Sequence, residues 1–251
     1  MTQILFIHGM YMNASSWGDW GVRAKAAGHT SHALEWPGHD GEPAALRANP
    51  PEELKTLSFG QLVEHHEAQI RALHAQDAVL VGHSIGGLLV QALLARGIGR
   101  AGVAICPAPP QGVLSLRPDF LRANAPHTNV FAKNKPLNMS AKRFHYCFAS
   151  SVSREESDAL WARWCTPESR AVPLSTTGKE GKVEAGAVTQ PLLVFGGTND
   201  HLIPASLAKK VAARYSAAEY REIPGGDHFV CNEPGWESLA DDVFAWVAAQ
   251  K

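Results

Sequence analysis

The chain has 251 residues, 45% of them hydrophobic, with 23 Lys+Arg against 24 Asp+Glu. That is long enough for one α/β domain with an insertion, or two small domains, and for a core that needs no disulfide or metal staple. A net charge of −1 excludes the basic footprint of a nucleic-acid binder and of a protein held on an anionic membrane.

The four cysteines, Cys106, Cys147, Cys165 and Cys231, show no C-x-x-C spacing and read as reduced thiols, which points to the cytoplasm. Met1 to Ile7 enters a strand at once, without a basic segment or long apolar run, so it is not a signal peptide. No stretch approaches the ~20 apolar residues that span a bilayer. Twelve histidines invite a metal hypothesis, but the densest cluster, His65-His66-Glu67, is not H-E-x-x-H, and no metal is expected.

In chain order, Ile4–Ile7 is an apolar strand that runs into a His8-Gly9-Met10 turn. Residues 15–27 read as a helix with Trp17, Trp20 and Ala24 on one side, ended by Gly28. Thr30–Leu34 is a weaker strand, and Asp40–Thr56 reads as loop. Ser58-x-x-Gln61 is a capping box that opens a helix carrying Leu62, His66, Ile70 and Leu73. Ala78–Val81 is a buried strand, and Leu88, Leu89, Ala92 and Leu93 follow at helical spacing.

Val103–Cys106 is the next strand. From Pro109 to Val188 prolines recur and aromatics cluster (Phe120, Phe131, Phe144, Tyr146, Phe148, Trp161, Trp164), with a second capping box at Ser153-x-x-Glu156. This segment reads as a mainly helical cap. The alternation resumes with a strand at Leu192–Phe195, a helix at Ala205–Tyr215, a strand at Glu219–Ile223 and a last helix from near Pro234. The expected division is core over 1–108, cap over 109–188 and core over 189–251. Strands alternating with helices predict a mostly parallel six-stranded sheet with helices on both faces.

The chemistry centres on Gly82-His83-Ser84-Ile85-Gly86-Gly87, set between a strand and a helix. In that context G-x-S-x-G forms a sharp, strained turn with the serine hydroxyl at its apex and the next amide aimed at the same space. The bland alternative is an ordinary N-cap serine. A serine needs a base and an orienting acid. His228, in a glycine-rich turn after the last strand, and Asp200, after Leu192–Phe195, both fall at the carboxyl edge of the sheet, where open α/β sheets bind ligands. Asp227 is a rival acid, but it adjoins His228 and would have to fold back; Asp40 is remote.

These pieces resemble the α/β-hydrolases over nearly the whole chain: the His8-Gly9 turn, Gly82–Gly87, Gly196-Gly197-Thr198-Asn199-Asp200 with Pro204, and Gly226-Asp227-His228, in the order Ser…Asp…His. The first two strands of larger members are missing, as in compact members such as plant esterases and hydroxynitrile lyases. Some members carry the acid after the strand before the cap; here that strand ends in Cys106-Pro107-Ala108, which favours Asp200. The resemblance implies a Ser84–His228–Asp200 triad and an oxyanion hole from the amides of Met10 and Ile85. Tyr11 and His83 are the candidate substrate contacts, although His83, like His8, also suits a bracing role. Cys231 reads as a small buried apolar residue.

A serine nucleophile sets the chain apart from the epoxide hydrolases and dehalogenases of this fold, which use aspartate. The expectation is a cofactor-free hydrolase that cleaves an ester, lactone or thioester of a small to medium, partly apolar substrate through an acyl-enzyme. It needs no nucleic-acid or membrane partner, and a homodimer stays open. Two alternatives use the same residues. One is a hydroxynitrile-lyase-like elimination, which would want a cation such as Lys133, Lys135 or Arg143 at the pocket; the other is a ligand receptor with little turnover.

Overall fold

The structure, a computed structural model, describes residues 1–132 and 134–250, with Thr128 and Val130 in backbone only. Six strands, β1 (Gln3–Ile7), β2 (Thr30–Leu34), β3 (Val79–His83), β4 (Ala101–Ile105), β5 (Leu192–Gly197) and β6 (Ala218–Ile223), form one sheet in the order β2-β1-β3-β4-β5-β6. Every pairing is parallel, with Phe6, Val81, Val103 and Leu193 in register across the four inner strands. Helices fill the crossovers: α1 (Gly18–Ala26), α2 (Pro43–Ala48), α3 (Phe59–Ala72), α4 (Ile85–Ala95), α5 (Pro118–Asn124), α6 (Ala141–Phe148), α7 (Arg154–Trp164), α8 (Ala171–Thr176), α9 (Ala205–Ala212) and α10 (Trp236–Ala249).

Strand side chains alternate between two faces, and each face has its own core. Ile4, Phe6, Val79, Val81, Val103, Ile105, Leu193 and Phe195 pack with Trp17, Trp20 and the buried stripe of α10. Leu5, Ile7, Leu80, Ala104, Leu192 and Val194 pack against α3, α4 and α9. The inner strands are buried on both sides, which is why they read as unbroken apolar runs. Both capping boxes form, at Ser58/Gln61 and at Ser153/Glu156.

Three expectations need correction. The predicted loop 40–56 contains α2 and a 3₁₀ turn at Glu52–Lys55; Pro43 suits a first helical turn, and Leu46 and Leu54 give each piece an apolar anchor. The predicted helix 15–27 is a 3₁₀ turn, Ala14–Trp17, followed by α1. The predicted helix 205–215 stops at Ala212, although Tyr215 stays buried and donates to Gln91 Oε1 at 2.7 Å.

Between β4 and β5 the described residues add no strand to the sheet. They hold α5 to α8 and one antiparallel bridge, Leu137 to Glu168. Most of the aromatics of this segment join the core on the α3–α4 face of the sheet: Phe144 stacks on Phe148 with ring centroids 5.1 Å apart, and Trp164 is buried. Phe131 is fully exposed, and Phe120 faces the cavity described below.

Candidate active site

β3 ends in a turn that only glycine permits on either side of Ser84. A Cβ on Gly82 would lie 2.2 Å from the Gly86 carbonyl oxygen, and one on Gly86 would lie 2.2 Å from that of Ile7. Strand, helix and β1 therefore approach backbone to backbone. Ser84 itself sits at φ 55, ψ −119, in the left-handed half of the map where a non-glycine residue is strained. Its N–H donates to Ile105 O at 3.0 Å, and its carbonyl accepts from Gly87 and Ala108, each at 2.9 Å. The surroundings thus hold the strained residue from both ends.

The Ser84 hydroxyl does not cap α4. Its Oγ lies 2.9 Å from His228 Nε2, and His228 Nδ1 lies 2.6 Å from Asp200 Oδ2. All three residues are buried. The other carboxylate oxygen of Asp200 accepts the N–H groups of Leu202 and Ile203 at 2.8 and 2.7 Å. Those bonds aim Oδ2 at the imidazole. An Nδ1–H donating to Asp200 leaves Nε2 as the acceptor, the tautomer that can take the serine proton.

Asp227 faces elsewhere. Its carboxylate accepts Ser150 Oγ at 2.9 Å and Ser151 N–H at 2.6 Å, tying the segment before α7 to the His228 turn. Glu233 lies close by, its carboxyl pushed up to about 7 by burial and by the charge of Asp227. Phe148 stands edge-on to the His228 ring at 5.0 Å and shields it.

Ile85 follows Ser84 in the chain and Met10 follows Gly9, and among the described residues neither amide donates to a protein acceptor. The Met10 turn is pressed onto the serine: a Cβ on Gly9 would lie 2.8 Å from both Ser84 Cβ and His83 O. His8 braces this turn, with Nδ1 2.9 Å from Gly9 O, Nε2 2.9 Å from Glu35 Oε1, and its ring stacked on Trp36.

His83 does not line the cavity. It lies behind His228, its Nε2 donating to the His228 carbonyl at 2.7 Å, and burial together with the nearby His228 pushes its pKa down to about 3. A neutral donor that holds the His228 backbone is a bracing part, not a substrate contact. Cys231 is buried, and its carbonyl accepts Trp20 Nε1–H at 2.8 Å.

A cavity of about 290 Å³ opens over Ser84, and Met10, Tyr11 and Ile85 line it. Its outer walls are apolar, from Pro109, Val113, Phe120, Leu174 and Leu202. Among the described residues no lysine or arginine lines it. Arg143 instead donates to the Ala123 carbonyl, and Lys133 lies outside the described residues. Three larger clefts, of about 500, 630 and 390 Å³, lie away from Ser84 and include charged side chains in their walls. The smaller cavity is the one that Ser84 lines.

Some site features left no sequence signal. Tyr11 Oη lies 2.8 Å from His127 Nε2 inside the cavity, with His127 pushed down to about 4 by burial and by Arg143 and Arg170. Cys106, at φ 44, stands where relatives of this fold can carry the acid. Ligand atoms of Cys106, Asp200 and His228 lie within 4.8 Å of one another. Burial, reinforced by the Asp200 charge, pushes the Cys106 thiol far up, so it stays protonated, and both Asp200 oxygens already have partners.

No described helix is long and apolar enough to cross a membrane. A family model described as "Alpha/beta hydrolase family" matches residues 4–241. A monoacylglycerol lipase of Mycolicibacterium smegmatis is 27% identical over 261 aligned positions, covering 98% of this chain and 88% of the lipase. A solved monoacylglycerol lipase of Paleococcus ferrophilus superposes with a TM-score of 0.72 at 16% identity, over 99% of this chain and 95% of that one. A methylesterase of Arabidopsis gives 0.72 at 14% identity, over 99% and 98%. The strand order, the serine turn and a match spanning nearly every residue agree, and this chain belongs to the alpha/beta hydrolase family.

Proposed function

We propose that this chain is a serine hydrolase that cleaves a carboxylic ester, or a related lactone or thioester, of a small to medium, partly apolar substrate. One observation carries the reading: the hydrogen-bonded chain from Ser84 Oγ through His228 to Asp200, at 2.9 and 2.6 Å, beneath an apolar cavity. The family supports a hydrolase, and relatives named lipase and methylesterase support an ester.

In this reading Ser84 Oγ attacks the ester carbonyl carbon while His228 Nε2 takes the hydroxyl proton. Asp200 stabilises the imidazolium so formed. The negative charge on the carbonyl oxygen is met by the amides of Met10 and Ile85; losing one such donor costs ~3 kcal/mol of transition-state stabilisation. The tetrahedral intermediate collapses, the alcohol leaves with the proton from His228, and an acyl-Ser84 ester remains. Water, deprotonated by the same imidazole, then releases the acid. The segment 109–188 acts as a cap whose walls select the substrate. Among the described residues no lysine or arginine lines the cavity to meet a cyanide leaving group, which favours hydrolysis over a hydroxynitrile-lyase-like elimination.

The test is p-nitrophenyl acetate turnover with diethyl p-nitrophenyl phosphate labelling. We expect a burst of p-nitrophenol, one label per chain at Ser84, and loss of both in Ser84→Ala with the fold retained. Turnover in Ser84→Ala equal to wild type would overturn the mechanism. Rapid labelling of wild type without turnover would indicate a receptor.

A further inference from the structure

A fully buried carboxylate calls for an explanation, because ion desolvation costs several kcal/mol. Glu168 is such a group, in the stretch between α7 and α8. Its Oε1 accepts Ser169 N–H at 2.6 Å. Its Oε2 accepts Tyr11 N–H at 3.2 Å and lies 3.3 Å from Nε2 of His39, which is also fully buried. His39 Nδ1 lies 3.1 Å from Pro37 O. Both nitrogens of that ring face acceptors, an arrangement that suits a ring with a proton on each. Burial alone would lower the pKa of His39; the charge of Glu168, the hydrogen bonds to Glu168 and Pro37 O, and the charge of Glu35 together outweigh it and hold it above the ordinary value.

An apolar pair of the same size would often hold a fold as well as a buried ion pair does. What an apolar pair cannot supply is an acceptor for Tyr11 N–H. Tyr11 has φ 65, a region that a non-glycine residue keeps only when its neighbours over-determine it. Here they do. Thr166 N–H donates to Tyr11 O at 3.0 Å, Thr166 Oγ1 donates to Met12 O at 3.2 Å, and Glu168 takes Tyr11 N–H. The stretch 166–168 thus grips residues 11 and 12 from one side, while Gly9 is pressed on Ser84 from the other. Met10 lies between the two grips. Release of Tyr11 to an extended conformation would turn the Met10–Tyr11 peptide and free the Met10 Cα to shift, and the Gly9–Met10 peptide, which carries the Met10 N–H, is joined to that Cα.

We propose that Glu168 is a positioning residue, fixing the Met10 amide for the oxyanion through the Tyr11 N–H and making the inserted segment part of the catalytic apparatus. This rests on the hydrolase reading above. An oxyanion donor works only if it is in place before charge develops, so its loss shows in turnover more than in substrate binding.

The experiment compares wild type, Glu168→Gln and the double variant Glu168→Met/His39→Leu, with p-nitrophenyl acetate as substrate. The amide of Glu168→Gln has one oxygen for the three N–H groups of Ser169, Tyr11 and His39. The double variant removes both charges together, so neither is left buried alone. Sites are counted by diethyl p-nitrophenyl phosphate titration, so that kcat refers to folded, reactive chains. We expect kcat per site to fall at least about tenfold in both variants with KM within about twofold, and the phosphorylation rate to fall in parallel. A purely structural role would lower the melting temperature and leave kcat per site unchanged; wild-type kcat in the double variant overturns the proposal. A wild-type chain that neither turns over nor takes the label overturns the hydrolase reading, and this proposal with it.

Discussion

Asp200 reaches His228 at 2.6 Å across 28 positions of sequence, while Asp227, next to His228 in the chain, turns its carboxylate to Ser150 and Ser151. Adjacent residues on a turn point their side chains apart. A residue at the end of the neighbouring strand can face the imidazole squarely, because β5 and β6 are parallel and end at the same rim.

The two aspartates should therefore separate cleanly on mutation. Asp200→Asn presents an amide where the histidine needs an acceptor, which favours the wrong tautomer, and kcat should fall by roughly 10³–10⁴. Asp227→Asn should keep kcat within about tenfold and cost stability, since it weakens two bonds to the Ser150–Ser151 turn. The check is kcat for both variants at neutral pH beside their melting temperatures. The reverse ranking would assign the acid to Asp227.

Gly86 should tolerate no side chain. Its Cβ would meet Ile7 O at 2.2 Å and His8 O at 2.6 Å, both backbone atoms that cannot rotate away. Gly86→Ala should push α4 off the end of β1, cost about 1–3 kcal/mol and move Ser84 enough to lower kcat about a hundredfold or more. Gly186→Ala, where a Cβ meets nothing within 4 Å, is the control and should be silent. Equal activity in the two would mean that the close approach at Gly86 does not govern the serine.

Acid should destabilise the fold well above the pH at which carboxylates protonate. Burial pushes His66 and His83 down to about 3 and His127 down to about 4. An unfolded histidine titrates near ~6.5. Between those values the unfolded chain binds protons that the folded chain does not, so stability falls as pH drops below ~6.5 and keeps falling to the folded values. Each group contributes up to ~1.4 kcal/mol per pH unit, and the three together on the order of 4. His39 works in the opposite sense. Its raised pKa gives stability that is complete below the unfolded value and is lost as pH rises through the folded one. Urea titrations from pH 7.5 to 5 measure the slope, and His66→Phe should lower it by one proton's worth. Glu233, held at about 7 in the fold, offsets part of the slope as His39 does, so the decisive comparison is the variant: a His66→Phe slope equal to that of wild type would mean that this ring is already protonated in the fold.

Much of this architecture can be read from local pattern. Unbroken apolar runs mark β1, β3 and β5 because those strands are covered on both faces, and the boxes at Ser58 and Ser153 mark helix starts because each satisfies orphan amides within four residues. The glycines around Ser84 announce a tight turn for the same reason: the constraint lies within a few residues of chain. Residues 40–56 were harder, since short helices anchored by single leucines carry too little periodicity to register.

By itself, then, the sequence determined the strand-and-helix alternation and the serine turn, features set by interactions within a turn or two of chain. Tertiary structure decided which aspartate faces His228, that His83 lies behind the ring, and that the buried side chains of Glu168 and His39 meet beside the Tyr11 N–H. Those outcomes depend on groups as far as 157 positions apart meeting at one place. Their energies come from direction and desolvation, which no spacing along a chain encodes.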